Sequence, residues 1–110
     1  MAKEAVKIQE GGVIDYTAVA TIANGDVVPL TDRVGVALDD AVKGDVISLA
    51  LEGVFEMTGK ASEAFKIGDP VFFSNADREV TITERGDTRA GIAVTSKASG
   101  ITGVVNVKIG

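Results

Sequence analysis

The 110-residue chain contains no cysteine, no histidine and no tryptophan. The missing cysteines exclude a disulfide framework, a thiolate nucleophile and a cysteine zinc site. The missing histidines exclude an imidazole base, a histidine metal ligand and a Ser-His triad. Any catalysis would rest on carboxylates, lysines, hydroxyls or Tyr16, and neither a metal nor a cofactor is expected. Only two prolines are present, which excludes collagen-like and Pro-rich chains. The longest clearly apolar stretch, VISLAL (Val46–Leu51), is far too short to span a bilayer. Basic residues are few: eleven Lys and Arg stand against sixteen Asp and Glu, for a net charge of −5. They are scattered and form no stripe, so neither nucleic acid nor an anionic membrane is an expected partner. The N-terminus, MAKEAVKIQEGG, lacks the apolar run of a signal peptide, so synthesis in the cytoplasm is expected.

What the chain does have is glycine, thirteen in all, within a composition that is 45% hydrophobic and 25% charged. Those are the proportions of a folded domain with many tight turns. AVKIQ (Ala5–Gln9) alternates apolar and polar residues and stops at Gly11-Gly12. Residues 1–12 are therefore read as an N-terminal arm or edge strand, and 13–110 as a single β domain. Strands are expected at VIDYTA (Val13–Ala18), VVPL (Val27–Leu30) and RVGVAL (Arg33–Leu38). VISLALEGVFEM (Val46–Met57) should be two strands broken near Gly53. DPVFFS (Asp69–Ser74) and VTIT (Val80–Thr83) read as a hairpin, and RAGIAV and GVVNVKI complete the set. KASEAFKIG (Lys60–Gly68) is the one credible helical piece, about two turns long over 60–67. The expected fold is all-β, a small barrel or sandwich of short, mostly antiparallel strands with one short helix.

A pattern recurs. GVALDDAVKG (Gly35–Gly44) is echoed by GIAVTSKASG (Gly91–Gly100). Gly25-Asp26 matches Gly68-Asp69, and Arg33-Val34-Gly35 matches Arg89-Ala90-Gly91. The second copy carries the FFSNADREVTIT hairpin as an insertion. Two related strand-turn-strand units follow.

Chemistry is thin along the chain. GVFEMTGKA (Gly53–Ala61) approaches a P-loop, but it has one residue too many between its glycines, and Ala61 stands where a hydroxyl must hold magnesium. Asp39, Asp40 and Asp45 form the densest acidic cluster. Neighbours on a strand point to opposite faces, so Asp39 and Asp40 do not converge on a metal. The Gly-Asp pairs at 25–26, 44–45, 68–69 and 86–87 read as turn chemistry. Phe72-Phe73 is different. The two rings of a strand dipeptide face opposite ways, so one joins the core and the other needs a second apolar surface.

With GGVIDYTA, GDVVPL, RVGVALDDAVKGDVISLALEGVFEM, GDPVFFSNADREVT and AGIAVTSKASG…VNVKIG in place, the chain resembles the capsid cement, or head decoration, proteins of tailed bacteriophages. The resemblance runs from about Val6 to Ile109. It implies a β-rich fold with no active site, a homotrimer, and the major capsid protein as partner on the outside of a phage head. It also implies a structural virion protein that stabilises the head against internal DNA pressure. Ala5, Val6 and Ile8 of the arm, with Phe72 and Phe73, are the expected capsid or intersubunit contacts. A small ligand-binding or carrier module of biotinyl or lipoyl type, modified at Lys60, is the alternative.

Overall fold

The computed structural model describes Ala5, residues 11–84 and residues 87–110. Nine strands follow one another: β1 (Val13–Thr17), β2 (Val27–Pro29), β3 (Val34–Ala37), β4 (Val46–Ala50), β5 (Gly53–Gly59), β6 (Pro70–Ser74), β7 (Glu79–Thr81), β8 (Thr88–Ala93) and β9 (Gly103–Ile109). The first four form a sheet in the order β1-β4-β3-β2, and the last five close a barrel in the order β5-β7-β6-β8-β9. All pairings are antiparallel except β5 with β7, which meet in parallel at Gly59 and Val80. The all-β expectation holds, and every expected strand from Val13 onward is present.

The two halves are one design used twice. Setting β7 aside, the barrel order β5-β9-β8-β6 repeats the sheet order β1-β4-β3-β2. The turns match bond for bond. The Gly25 amide donates to the Ala37 carbonyl and the Ala37 amide to the Asp26 carbonyl; likewise Gly68 donates to Ala93 and Ala93 to Asp69. The isolated bridge Ile22–Ala41 corresponds to Phe65–Lys97. In the second unit the inserted strand β7 fills the gap between β5 and β6 and closes the barrel, while the first unit stays an open sheet.

The opening glycines of the repeated ten-residue pattern occupy equivalent, crowded places. A Cβ on Gly35 would lie 2.6 Å from the Leu49 side chain, and one on Gly91 would overlap the Lys108 carbonyl oxygen. Neither strand could sit so close to its neighbour with a larger residue there.

Alternation explains the packing. In β9, Val105, Val107 and Ile109 are buried while Val104 and Lys108 are exposed. β3 is buried on both faces, as its sequence VGVA allows. Its Val34 and Val36 join Phe65, Val71, Phe73, Val80 and the β9 residues in one core cluster. Its Ala37 joins Ile47, Leu49, Val28, Ala18 and Ala41 in a second. β3 is thus the wall shared by both cores.

The helix expected over 60–67 is absent; no helix occurs among the described residues. Lys60 to Glu63 form a turn in which the Glu63 amide donates to the Lys60 carbonyl. Phe65, 1% exposed, then bridges to Lys97 as extended chain. The apolar spacing that suggested a helix face comes from a turn followed by one buried anchor. The P-loop-like stretch is not a loop, because Gly53–Gly59 is strand β5 throughout.

Candidate functional site

The acidic residues singled out by sequence are occupied with their own turns. Asp26, Asp45 and Asp69 each accept a hydrogen bond from the amide three residues earlier, at Ala23, Val42 and Lys66, with lengths of 2.9–3.0 Å. Each follows a glycine with φ between 92° and 96°, which is the Gly-Asp turn chemistry the sequence indicated. Gly86 of the fourth pair lies outside the described residues. Asp40 accepts from the Asn24 amide at 2.8 Å and so ties the two turns of the first unit together. Among the described residues no cluster of three Asp, Glu, His or Cys could hold a metal ion.

A buried cation escaped the sequence reading. Lys97 is 7% exposed, and no carboxylate among the described residues bonds its ammonium. Its Nζ instead donates to the backbone carbonyls of Glu63 and Ala98 at 3.0 Å and Lys60 at 3.1 Å, with Ala61 at 3.4 Å. Its stem runs over the paired glycines Gly59 and Gly103, whose missing side chains leave the space. The Nζ lies 5.7 Å from the centre of the Phe65 ring. Lys97 therefore gathers the 60–63 turn onto the barrel. The sequence signal lay in the repeat, since the equivalent residue in the first unit is the buried Ala41.

Glu63 fastens the same turn from the other side. Its carboxylate accepts from the Thr81 hydroxyl at 2.6 Å, the Ile82 amide at 2.9 Å and the Thr83 hydroxyl at 2.9 Å. Burial disfavours its charge, but these three donors and the nearby Lys60 ammonium outweigh burial and hold the carboxyl below the usual glutamate range. These groups join the 60–63 turn to β7 and the segment after it. The arrangement is a staple across the turn.

Lys60 does not stand at the tip of a tight hairpin, as a carrier module requires. It follows β5, is half-buried, and its amide donates to the Val80 carbonyl at 2.9 Å. Phe73 is 3% exposed in the barrel core, whereas Phe72 is only half-buried. Phe72 borders an open cleft of about 460 Å³ walled by Thr31, Asp32, Glu84, Asp87 and Arg89. The ring available to a second surface is thus that of Phe72. Of the arm residues, Ala5 is exposed, and Val6 and Ile8 lie outside the described residues.

Arg78 lies in the inserted hairpin, between β6 and β7. It has φ 57°, the left-handed region that only a few per cent of non-glycine residues adopt. Its guanidinium donates to the Val27 carbonyl on β2 at 2.8 Å and lies 4.8 Å from the Phe73 ring centre. The hairpin of the second unit thereby caps the outer edge of the first unit's sheet, where Pro29 already removes a donor.

Val46 and Val104 are 64% and 50% exposed, and Val13 and Val54 are 44% and 57% exposed. These are large apolar residues on regular strands.

A family model described as phage cement protein matches residues 8–109. The chain belongs to the phage cement protein family, whose role is structural, at the phage capsid. No curated protein and no solved structure matches it significantly.

Proposed function

From membership of the phage cement family we infer that the chain is a decoration protein of the outer capsid surface. Three copies associate about a threefold or quasi-threefold axis and hold neighbouring major capsid subunits together against the pressure of packaged DNA. The observation that carries this reading is the family match over nearly the whole chain.

The mechanism is mechanical. Threefold contacts are heterologous and close into a ring. A trimer touches several capsid subunits at once, so weak contacts multiply through effective concentration. Burying one exposed Val or Phe at such a contact contributes roughly 1.5–3 kcal/mol, and a few per subunit suffice. Residues 1–12 act as an arm on the β domain of 13–110. The alternating segment that holds Ala5, Val6 and Ile8 adds to a neighbour's sheet edge, and Phe72 packs against a neighbouring chain.

Purified protein is mixed with undecorated heads of its own phage, and head stability to heat is measured with and without it. Light scattering gives the oligomeric state. Trimers that bind and protect the heads are expected. A protein that leaves head stability unchanged sinks the reading. A chain lacking residues 1–10 that still trimerises, binds and protects sinks the role of the arm alone.

A further inference from the structure

The second unit contains an element that the first one lacks. Strand β7 lies between β5 and β6, parallel to the one and antiparallel to the other. It brings the buried Val80 into the barrel core, and the Val80 carbonyl accepts from the Lys60 amide. In the first unit β1 and β2 stand where β5 and β6 stand, and among the described residues no strand lies between them. The Val19 amide, in the place of the Lys60 amide, has no partner among the described residues.

The gap is a cleft of about 440 Å³, bordered by Tyr16 of β1, by Val27, Val28 and Pro29 of β2, and by Val19 and Ile22 of the loop between them. The inner face of the first unit is correspondingly less covered. Tyr16, Ile22 and Leu30 are half-buried, whereas Met57, Phe65 and Phe73, in the same places of the second unit, are buried in one cluster with Val80.

The chain carries a second segment that reads like β7. VKIQE (Val6–Glu10) repeats the V-x-I-x-E of VTITE (Val80–Glu84). In its own chain this arm cannot take the orientation of β7. That orientation is parallel to the first strand of the unit, and only Gly11-Gly12 separate the arm from β1. A parallel connection needs a dozen or more residues. Ten residues precede Gly11, and extended they span roughly 33–36 Å, enough to reach another chain.

We propose that the arm of one copy enters the β1–β2 cleft of the next copy and there takes the place that β7 takes in the barrel, with Val6 in the position of Val80. The inference rests on the trimer and the arm of the reading above, and it names the surface that receives the arm. An arm in a neighbour's cleft is a heterologous contact, and three of them close a ring. Pro29 brings no amide to the β2 edge, and Arg78 already holds the Val27 carbonyl. Main-chain bonding to β2 is therefore limited, and the apolar side chains of Val6 and Ile8 carry the contact, as alternate side chains do for an added strand.

The chain has no cysteine, no tryptophan and one tyrosine, Tyr16, so introduced cysteines and tyrosine fluorescence both report on this cleft alone. Val80 lies opposite Phe73, which places Val6 opposite Leu30 of the next copy. Purified chain carrying Val6→Cys and Leu30→Cys is oxidised and run on a non-reducing gel. Covalent dimers and trimers are expected, and neither cysteine alone should give the trimer. The chain lacking residues 1–10 is expected to be monomeric. A peptide of residues 1–11 should change its Tyr16 fluorescence saturably, and the same peptide with Val6→Asp should not. If the truncated chain does not fold, Val6→Asp in the full chain serves instead; it is expected to melt close to wild type and to lose the trimer. A disulfide confined to one chain, no disulfide, or one formed only with the major capsid protein on heads overturns the proposal. A trimer that survives Val6→Asp, or a peptide without effect on Tyr16, overturns it too. None of these results touches the capsid reading while the wild type protects heads. A wild type that fails to protect heads sinks that reading, and the disulfide, formed without heads, still decides this one.

Discussion

Replacing Lys97 by methionine isolates the contribution of one buried cation. The change keeps most of the stem that lies over Gly59 and Gly103 and removes only the ammonium. Three hydrogen bonds of 3.0–3.1 Å are lost, to the carbonyls of Lys60, Glu63 and Ala98. A hydrogen bond to a charged group contributes roughly 1.5–3 kcal/mol. The sum must be discounted, because methionine also removes an ammonium that was costly to desolvate. Ala61 and Ser62 are exposed, so water can reach part of the freed turn. The net destabilisation is expected near 2–3 kcal/mol, about one of these bonds. For a chain of this size that lowers Tm by roughly 10–15 °C. Calorimetry reads the melting temperature, and amide exchange at residues 60–63 reads the turn. A methionine variant within about 1 kcal/mol of wild type, with the turn still protected, would refute the staple. Lys97→Arg is expected to fall between the two, since a guanidinium keeps the charge but does not fit three converging carbonyls.

Three other substitutions test separate parts of the fold. Gly91→Ala places a methyl on the Lys108 carbonyl and is expected to cost more than about 3 kcal/mol or prevent folding; Gly25→Ala meets open space at φ 92° and costs only about 1–2 kcal/mol, both read by chemical denaturation. The Glu63 carboxyl is held below its usual range, so its contribution is complete above the unfolded pKa and is lost as pH falls through the folded one. Glu63→Gln should therefore be less stable than wild type at neutral pH, with the difference shrinking in acid; a constant difference across a pH series of melts would sink that account. Arg78→Ala removes the bond to Val27 and the contact with Phe73 and should cost about 1–2 kcal/mol, while Arg78→Gly recovers part of this by relieving the left-handed backbone; equal melting of the two variants would contradict the strain argument.

The strands were legible because their signals are local. VIDYT and GVVNVKI alternate, Gly-Asp pairs announce turns, and Pro29 marks β2 as an edge. That Phe72 and Phe73 face opposite ways follows from strand alternation; that Phe73 is the buried one needs the structure. What failed was non-local. Lys60–Gly68 has helix-like spacing, but Phe65 is drawn into extended pairing by Lys97, thirty-two positions later in numbering. No window around residue 60 contains that partner. Lys97 looks like a solvated loop lysine in TSKASG, and only its cage of carbonyls from another turn makes it structural. The repeat was visible beyond its ten residues, from the Gly-Asp pairs onward, with the FFSNADREVTIT hairpin as an insertion. Its first strand, β1 against β5, emerges only from the strand order, in which β7 closes one unit and leaves the other open.

That asymmetry bears on why the two units of a duplicated chain do not share a core. Each unit solved its packing separately. The first covers its inner face with Ala18, Ile22 and Ala41, and the second closes a barrel around Phe65, Phe73 and Val80. Once β7 was present, the inward residues of β5 and β9 had a different volume to fill, so Ile14, Tyr16 and Leu49 had no reason to persist at Phe55, Met57 and Val107.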